Sequence, residues 1–213
     1  MPGKPGYAKL ALNLTLVTLV AAGSSLTSAG SAASDTARIN RLIQKLRPGD
    51  VAPTPEFATP TARDRQIIIP VVPGEAPARV RVIIIDPRRA TRLSVTFAKN
   101  SAELSAEARD RLYGLGAALA SPELAGARYL ISGHTDASGS AELNQRLSER
   151  RAMAVRRYLI ESHAIAGDRL VAVGFGEERP IDRRHPRARV NRRVEIALIA
   201  HETVRSGGYH RLP

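Results

Sequence analysis

Gly133–Ala152, GHTDASGSAELNQRLSERRA, is the stretch whose reading decides the fold. An apolar run ends at its first glycine, a turn-rich loop follows, and a helical pattern then takes over. Leu143, Leu147, Val155 and Tyr158 fall on one face of that helix, and Arg151 falls within the same stripe. Arg146, Glu149 and Arg156 mark the polar face. Asn144 precedes Arg151 by two turns and sits nearly above it, with Ser148 between them. A buried guanidinium is costly unless its charge and donors are met. The helix therefore calls for a carboxylate near its N-terminal half, and Asp136 in the preceding loop is the obvious supplier.

Two arrangements satisfy that demand. In one, Asp136 and Arg151 pair and tie the loop to the helix. In the other they flank a gap that takes a zwitterion: Arg151 grips a carboxylate with its planar fork, and Asp136 accepts from an ammonium. Gly133 and Gly139 permit close approach of the loop backbone, and the helix N-terminus adds amide donors for an anion. Spacing alone leaves both open.

Outward from this stretch, the pattern predicts a β-α-β-α-β-β unit. LSVTF (93–97) is the first strand, with alternating faces. SAEARDRLYGLGAALAS (105–121) is a helix with Leu112, Leu115 and Leu119 on one side and Ser105 as N-cap. ARYLIS (127–132) is the second strand, and the opening stretch supplies the second helix, to about Glu161. RLVAVGFG (169–176) and RRVEIALI (192–199) are the third and fourth strands. This order implies an α/β (α+β) sandwich, a mixed sheet with helices packed on one face and right-handed crossovers.

The flanks are less regular. Residues 1–33 read as a secretory signal: Lys4 and Lys9 precede a short apolar run, and small residues offer cleavage near Ala29 or Ala33. Ser34–Leu46 is a helix, with Ile39, Leu42, Ile43 and Leu46 in register and Ser34 or Asp35 as N-cap. Pro, Thr and Gly then punctuate a linker over 47–65, before the β-branched runs QIIIPVV (66–72) and ARVRVIIID (78–86). Pro70 restricts the first of these to an edge strand. Residues 34–92 thus read as a spacer with some strand content, available to an envelope protein partner. Residues 201–213 read as a polar, frayed tail.

Composition narrows the classes. The 213 residues are 43% hydrophobic and 4% aromatic, enough for one core of aliphatics and alanine. A formal charge of +12, almost all arginine, favours anionic partners without choosing among them. The absence of cysteine excludes disulfides, thiolate metal sites, a cysteine nucleophile and a lipid-modified cysteine.

Phe97, Ser101 and Leu104, then GHTD..G (133–139), N..LS..RA (144–152), GFGE..P (174–180) and NRRVEI (191–196), taken together, resemble the OmpA-like C-terminal domain family. The resemblance covers roughly 93–200 and keeps the family's order and spacing. It implies a non-enzymatic module of the periplasm or cell envelope, associated with the outer membrane. Such a module binds peptidoglycan through the diaminopimelate of the stem peptide, without cofactor or metal. Carried over, Asp136 meets the ligand ammonium and Arg151 the ligand carboxylate. Asn144, the Thr135 backbone and the loop after Phe97 support them. The loop EERPIDRRHPRARVNRRV (177–194) departs from the family in being shorter and richer in arginine, which bears on the pocket rim.

Three rivals are weaker. A hydrolase built on His134 and Asp136 lacks a nucleophile or a second metal ligand at suitable spacing. Nucleic-acid binding through RRHPRARVNRR (183–193) lacks interleaved aromatics and conflicts with export. A stator-like or secretion-system wall anchor would use the same domain with its N-terminal segment kept in the membrane.

Overall fold

The computed structural model describes residues 28–49, 65–70 and 79–206 except 94, 96 and 99. The apolar part of the expected signal, most of the linker and residues 207–213 lie outside the described residues. The elements run in the order α1 (Ser28–Leu46), β1 (Arg65–Pro70), β2 (Arg79–Leu93), α2 (Ala106–Leu119), β3 (Tyr129–His134), α3 (Ala141–His163), β4 (Leu170–Gly174) and β5 (Arg193–Ser206). Among the described residues the strands form one mixed sheet in the order β1-β2-β5-β3-β4. Only β3 and β4 are parallel neighbours; the other pairs are antiparallel. Pro70 does sit on an edge strand.

Alternation along the strands divides the core in two. Tyr129 and Ile131 of β3, Leu170 of β4 and Val194, Ile196 and Leu198 of β5 meet the helices. Leu130 and Ala197, from the other face, join Ile67, Ile83, Ile85 and Phe175. α2 brings Leu112, Leu115 and Leu119 to the first core and starts as expected, with Ser105 Oγ accepting from the amide of Ala108 at 3.2 Å. α3 is capped the same way by Ser140, whose Oγ accepts from the amide of Leu143 at 3.2 Å.

The strand expectation for 93–97 holds only at Leu93. Leu93 pairs with Val194, whereas Val95 and Phe97 lie outside any strand; residues 94 and 96 lie outside the described residues. Upstream, the run 78–86 does not end at Asp86. It continues as one long β2 across register shifts at Ile84/Ile85 and Asp86/Ala90, where the Arg88 amide donates to Asp86 Oδ1 at 2.9 Å.

The flanks are also better integrated than the sequence suggests. Residues 201–206 are not a frayed tail: β5 runs to Ser206 against the first half of β2, with Arg81 Nε 3.1 Å from Glu202. Nor is the 34–92 segment merely a spacer. Leu46 is fully buried, Ile39, Leu42 and Ile43 pack on the helical core, and Tyr129 Oη donates to the Leu46 carbonyl at 3.2 Å.

One pair of glycines sets the height of α3. Gly133 and Gly174 face each other across β3 and β4. A Cβ at Gly133 would overlap the Ser148 carbonyl, and one at Gly174 would overlap Ser148 Oγ and come too close to the Glu149 amide. Only glycine lets α3 rest backbone-to-backbone on the sheet here. Asn144 and Arg151 lie one turn either side of this contact.

Candidate functional site

Asp136, Thr135, Asn144 and Arg151 are all buried, and they gather where the loop after β3 meets the first turns of α3. Arg151 is 5% exposed. Its Nε donates to the Ser101 carbonyl at 3.0 Å and its Nη2 to the Ala98 carbonyl at 3.4 Å. Its guanidinium also lies 5.0 Å from the ring centre of Phe97. The chain after Phe97 thus serves Arg151 through its carbonyls, helped by a left-handed Asn100 (φ 55°) that turns the backbone.

Asp136 is equally buried, at 5%. Its Oδ1 accepts from the Ser138 amide at 3.1 Å, and its Oδ2 accepts from Nη1 of Arg192. Among the described residues, Asp136 therefore pairs with Arg192 and not with Arg151. Burial raises the Asp136 carboxyl, but hydrogen bonds from Arg192 and Ser138 and the charge of Arg192 overcome it and hold the group below its ordinary value. Burial lowers the Arg151 guanidinium, as does the nearby charge of Arg192, while Asp136 opposes both. An arginine so placed is still a cation at neutral pH.

Asn144 Nδ2 donates to Glu177, at the start of the arginine-rich loop. The Thr135 amide donates to the Gly176 carbonyl at 2.8 Å, so it holds the β3 and β4 loops together. Gly139 adopts φ +107°, a conformation that explains its glycine, and a Cβ there would touch Leu143 and Asn144. His134 stacks on Phe175 at 5.4 Å, and its Nε2 lies 3.9 Å from Glu195 on the sheet face away from the helices.

The cleft beside these residues measures about 130 Å³ and is lined by Val95, Phe97, Arg151, Arg189, Arg192 and Arg193. It has an aromatic floor, four guanidinium groups and the Asp136 carboxylate at its margin. Another cleft, about 220 Å³, lies on the other sheet face between Ile85, His134, Phe175 and Arg179. Its carboxylate, Glu195, already binds Arg193 at 2.7 Å.

Sequence reasoning missed Arg192 and the residue that positions it, Asn191. Fully buried Asn191 accepts through Oδ1 from the amides of Ile181 and Asp182, at 2.9 and 3.0 Å. Its Nδ2 donates to the carbonyls of Asp182, His185 and Pro186. The Pro186 carbonyl also accepts from the Ala137 amide at 3.0 Å, which joins this loop to the one bearing Asp136. The run of arginines was visible, but its signal was charge, and nothing in spacing aims Arg192 at a residue 56 positions earlier.

Known proteins match the part of the chain that carries these residues. Residues 96–193 match the model of the OmpA family. Over 72 residues the chain is 49% identical to outer membrane porin F of Pseudomonas aeruginosa, covering 33% of this chain and 21% of the porin. It is 42% identical over 73 residues to the peptidoglycan-associated lipoprotein of the same organism, covering 33% of this chain and 43% of the lipoprotein. It is 43% identical over 74 residues to the peptidoglycan-binding protein ArfA of Mycobacterium bovis, covering 34% and 22% respectively. The aligned part thus spans under half the length of each of these relatives.

Proposed function

Residues 96–193 of this chain are an OmpA family domain, and from that premise we propose that the chain binds peptidoglycan non-covalently and anchors itself to the cell wall. Its place is the periplasm or cell envelope, in association with the outer membrane. The ligand is the diaminopimelate of the stem peptide, whose free end carries an ammonium and a carboxylate on one carbon. Asp136 receives the ammonium and Arg151 the carboxylate, while Asn144 and the Thr135 backbone hold the loops that bear them.

One observation carries this reading. Arg151 and Asp136 are both buried beside one cleft, yet they are not bonded to each other. A pair whose role was to tie loop to helix would close on itself. The names of two relatives, a peptidoglycan-associated lipoprotein and a peptidoglycan-binding protein, support peptidoglycan as the partner. A hydrogen bond to a charged group contributes about 1.5–3 kcal/mol net, so one such pocket binds a stem peptide modestly. Rebinding along a polymeric wall makes up the difference.

Co-sedimentation with purified diaminopimelate-type peptidoglycan tests it. Wild type pellets with the wall and does so in high salt, whereas Asp136→Ala and Arg151→Ala each lose about tenfold or more in affinity. Pelleting that survives both substitutions and vanishes in salt would assign the binding to surface arginines instead.

A further inference from the structure

Three arginines enter the cleft differently. Arg151 is tied to two carbonyls and a ring. Arg193 is tied to Glu195 and to the carbonyls of Asn191 and Arg179. Arg192 has one side-chain hydrogen-bond partner among the described residues, Asp136, and its side chain is 45% exposed against 7% for the carboxylate it meets. Its backbone is nonetheless fixed, since it closes the short 3-10 turn Arg189–Asn191 and adjoins the buried Asn191. A rooted main chain with a singly held, half-exposed head describes a group that can leave Asp136 without unfolding anything.

Resting on the reading that Asp136 receives a ligand ammonium, we propose that Arg192 is the internal occupant of that ammonium position and a determinant of ligand choice. With the site empty, its guanidinium stands where the ligand cation belongs. An incoming ammonium displaces it from Asp136. The released guanidinium stays in the cleft it lines and, with Arg151, takes the ligand's carboxylate. A ligand with an ammonium alone must evict Arg192 and offers it nothing in return. A ligand with ammonium and carboxylate on one carbon supplies a replacement partner, so the exchange conserves ion pairs. Arg192 thereby converts the Asp136 carboxylate from a general cation site into one selective for an amino-acid end group.

The test compares two synthetic stem tripeptides by calorimetric titration: L-Ala-γ-D-Glu-meso-diaminopimelate, and the same peptide with L-lysine in third position, which keeps the ammonium and lacks the distal carboxylate. Wild type prefers the diaminopimelate peptide. In Arg192→Ala the lysine peptide binds several-fold more tightly, because its competitor is gone, and the preference for diaminopimelate falls about tenfold, the size of one lost charge-assisted contact. Arg192→Lys, which keeps the charge but not the fork, recovers part of the preference. Lysine-peptide affinity that stays level or drops in Arg192→Ala, or a preference that does not change, overturns the proposal while leaving the reading of Asp136 and Arg151 standing. Wild type that binds neither peptide overturns both. Unfolding curves of the variants, matched to wild type, keep a folding defect from imitating either result.

Discussion

Arg151 is accommodated by carbonyls, a ring face and a neighbouring carboxylate, without a counter-ion of its own in contact among the described residues. Lysine cannot reproduce that, since it lacks the planar fork that reaches Ser101 and Ala98 together. Arg151→Lys is therefore expected to lose wall binding nearly as fully as Arg151→Ala, which a pelleting assay reads directly. Asp136 supplies a pH signature. Its folded value is depressed below 3.8, so its ionisation stabilises the folded state in full above that pH, and the contribution is lost as pH falls through the folded value. In urea unfolding from pH 7 downward, the advantage of wild type over Asp136→Asn should shrink below about pH 4. An advantage that stays constant would mean that Asp136 gains nothing from Arg192. Arg151 could be read from sequence because a cation violates an apolar stripe. Arg192 could not, because its role depends on how a 3-10 turn is seated rather than on any pattern in its own neighbourhood.

At the level of elements, the contact of α3 with β3 and β4 governs the site. Gly133→Ala and Gly174→Ala push against helix backbone, which cannot swing aside as a side-chain tip can. Overpacking of this kind costs about 1–3 kcal/mol or more, and each kcal/mol lowers the melting temperature by roughly 2–4 °C in a chain of this size. Gly126→Ala, where a Cβ meets nothing within 4 Å, is the neutral control in the same thermal melts. The far end of α3 carries a second pH effect. His163 packs against Gly116 and beside Tyr113, with its Nε2 buried and without a hydrogen-bond partner among the described residues. Burial lowers its value below 6.5, so stability is full above that pH and declines as the pH falls through the folded value. His163→Gln should flatten the decline below about pH 6.5. Apolar periodicity sufficed to place α2, α3, β3 and β4. It misjudged β2 and β5 because pairing register, not local composition, decides how far a strand runs: β2 continues past Asp86 and β5 past Ile199 because each lies alongside the other.

Over the whole molecule, the elements before Leu93 complete the domain that carries the proposed site. α1 covers α2 and Tyr129, and β2 pairs with β5 along both its halves. A chain that starts at Leu93, the boundary that motif spacing suggests, exposes that core and strips β5 of one of its two neighbours, leaving β3. It should unfold at least 10 °C below the full chain, given a loss of about 3–5 kcal/mol or more from Leu46 and its companions. A truncated chain with an unchanged melting temperature would return this segment to the status of a spacer. Motifs pointed to the half that carries the proposed site; they were silent on the front half because its contribution is packing, which leaves no signature residues. The central claim, that one cleft binds the end of a stem peptide, is tested most directly by titrating the diaminopimelate tripeptide into isotope-labelled protein and mapping amide shifts by NMR. Shifts that saturate and cluster in residues 97–101, 135–139, 144–151 and 189–193 are the expected result. Shifts scattered over the exposed arginines, or gathered around His134 and Phe175 on the opposite face, would contradict it.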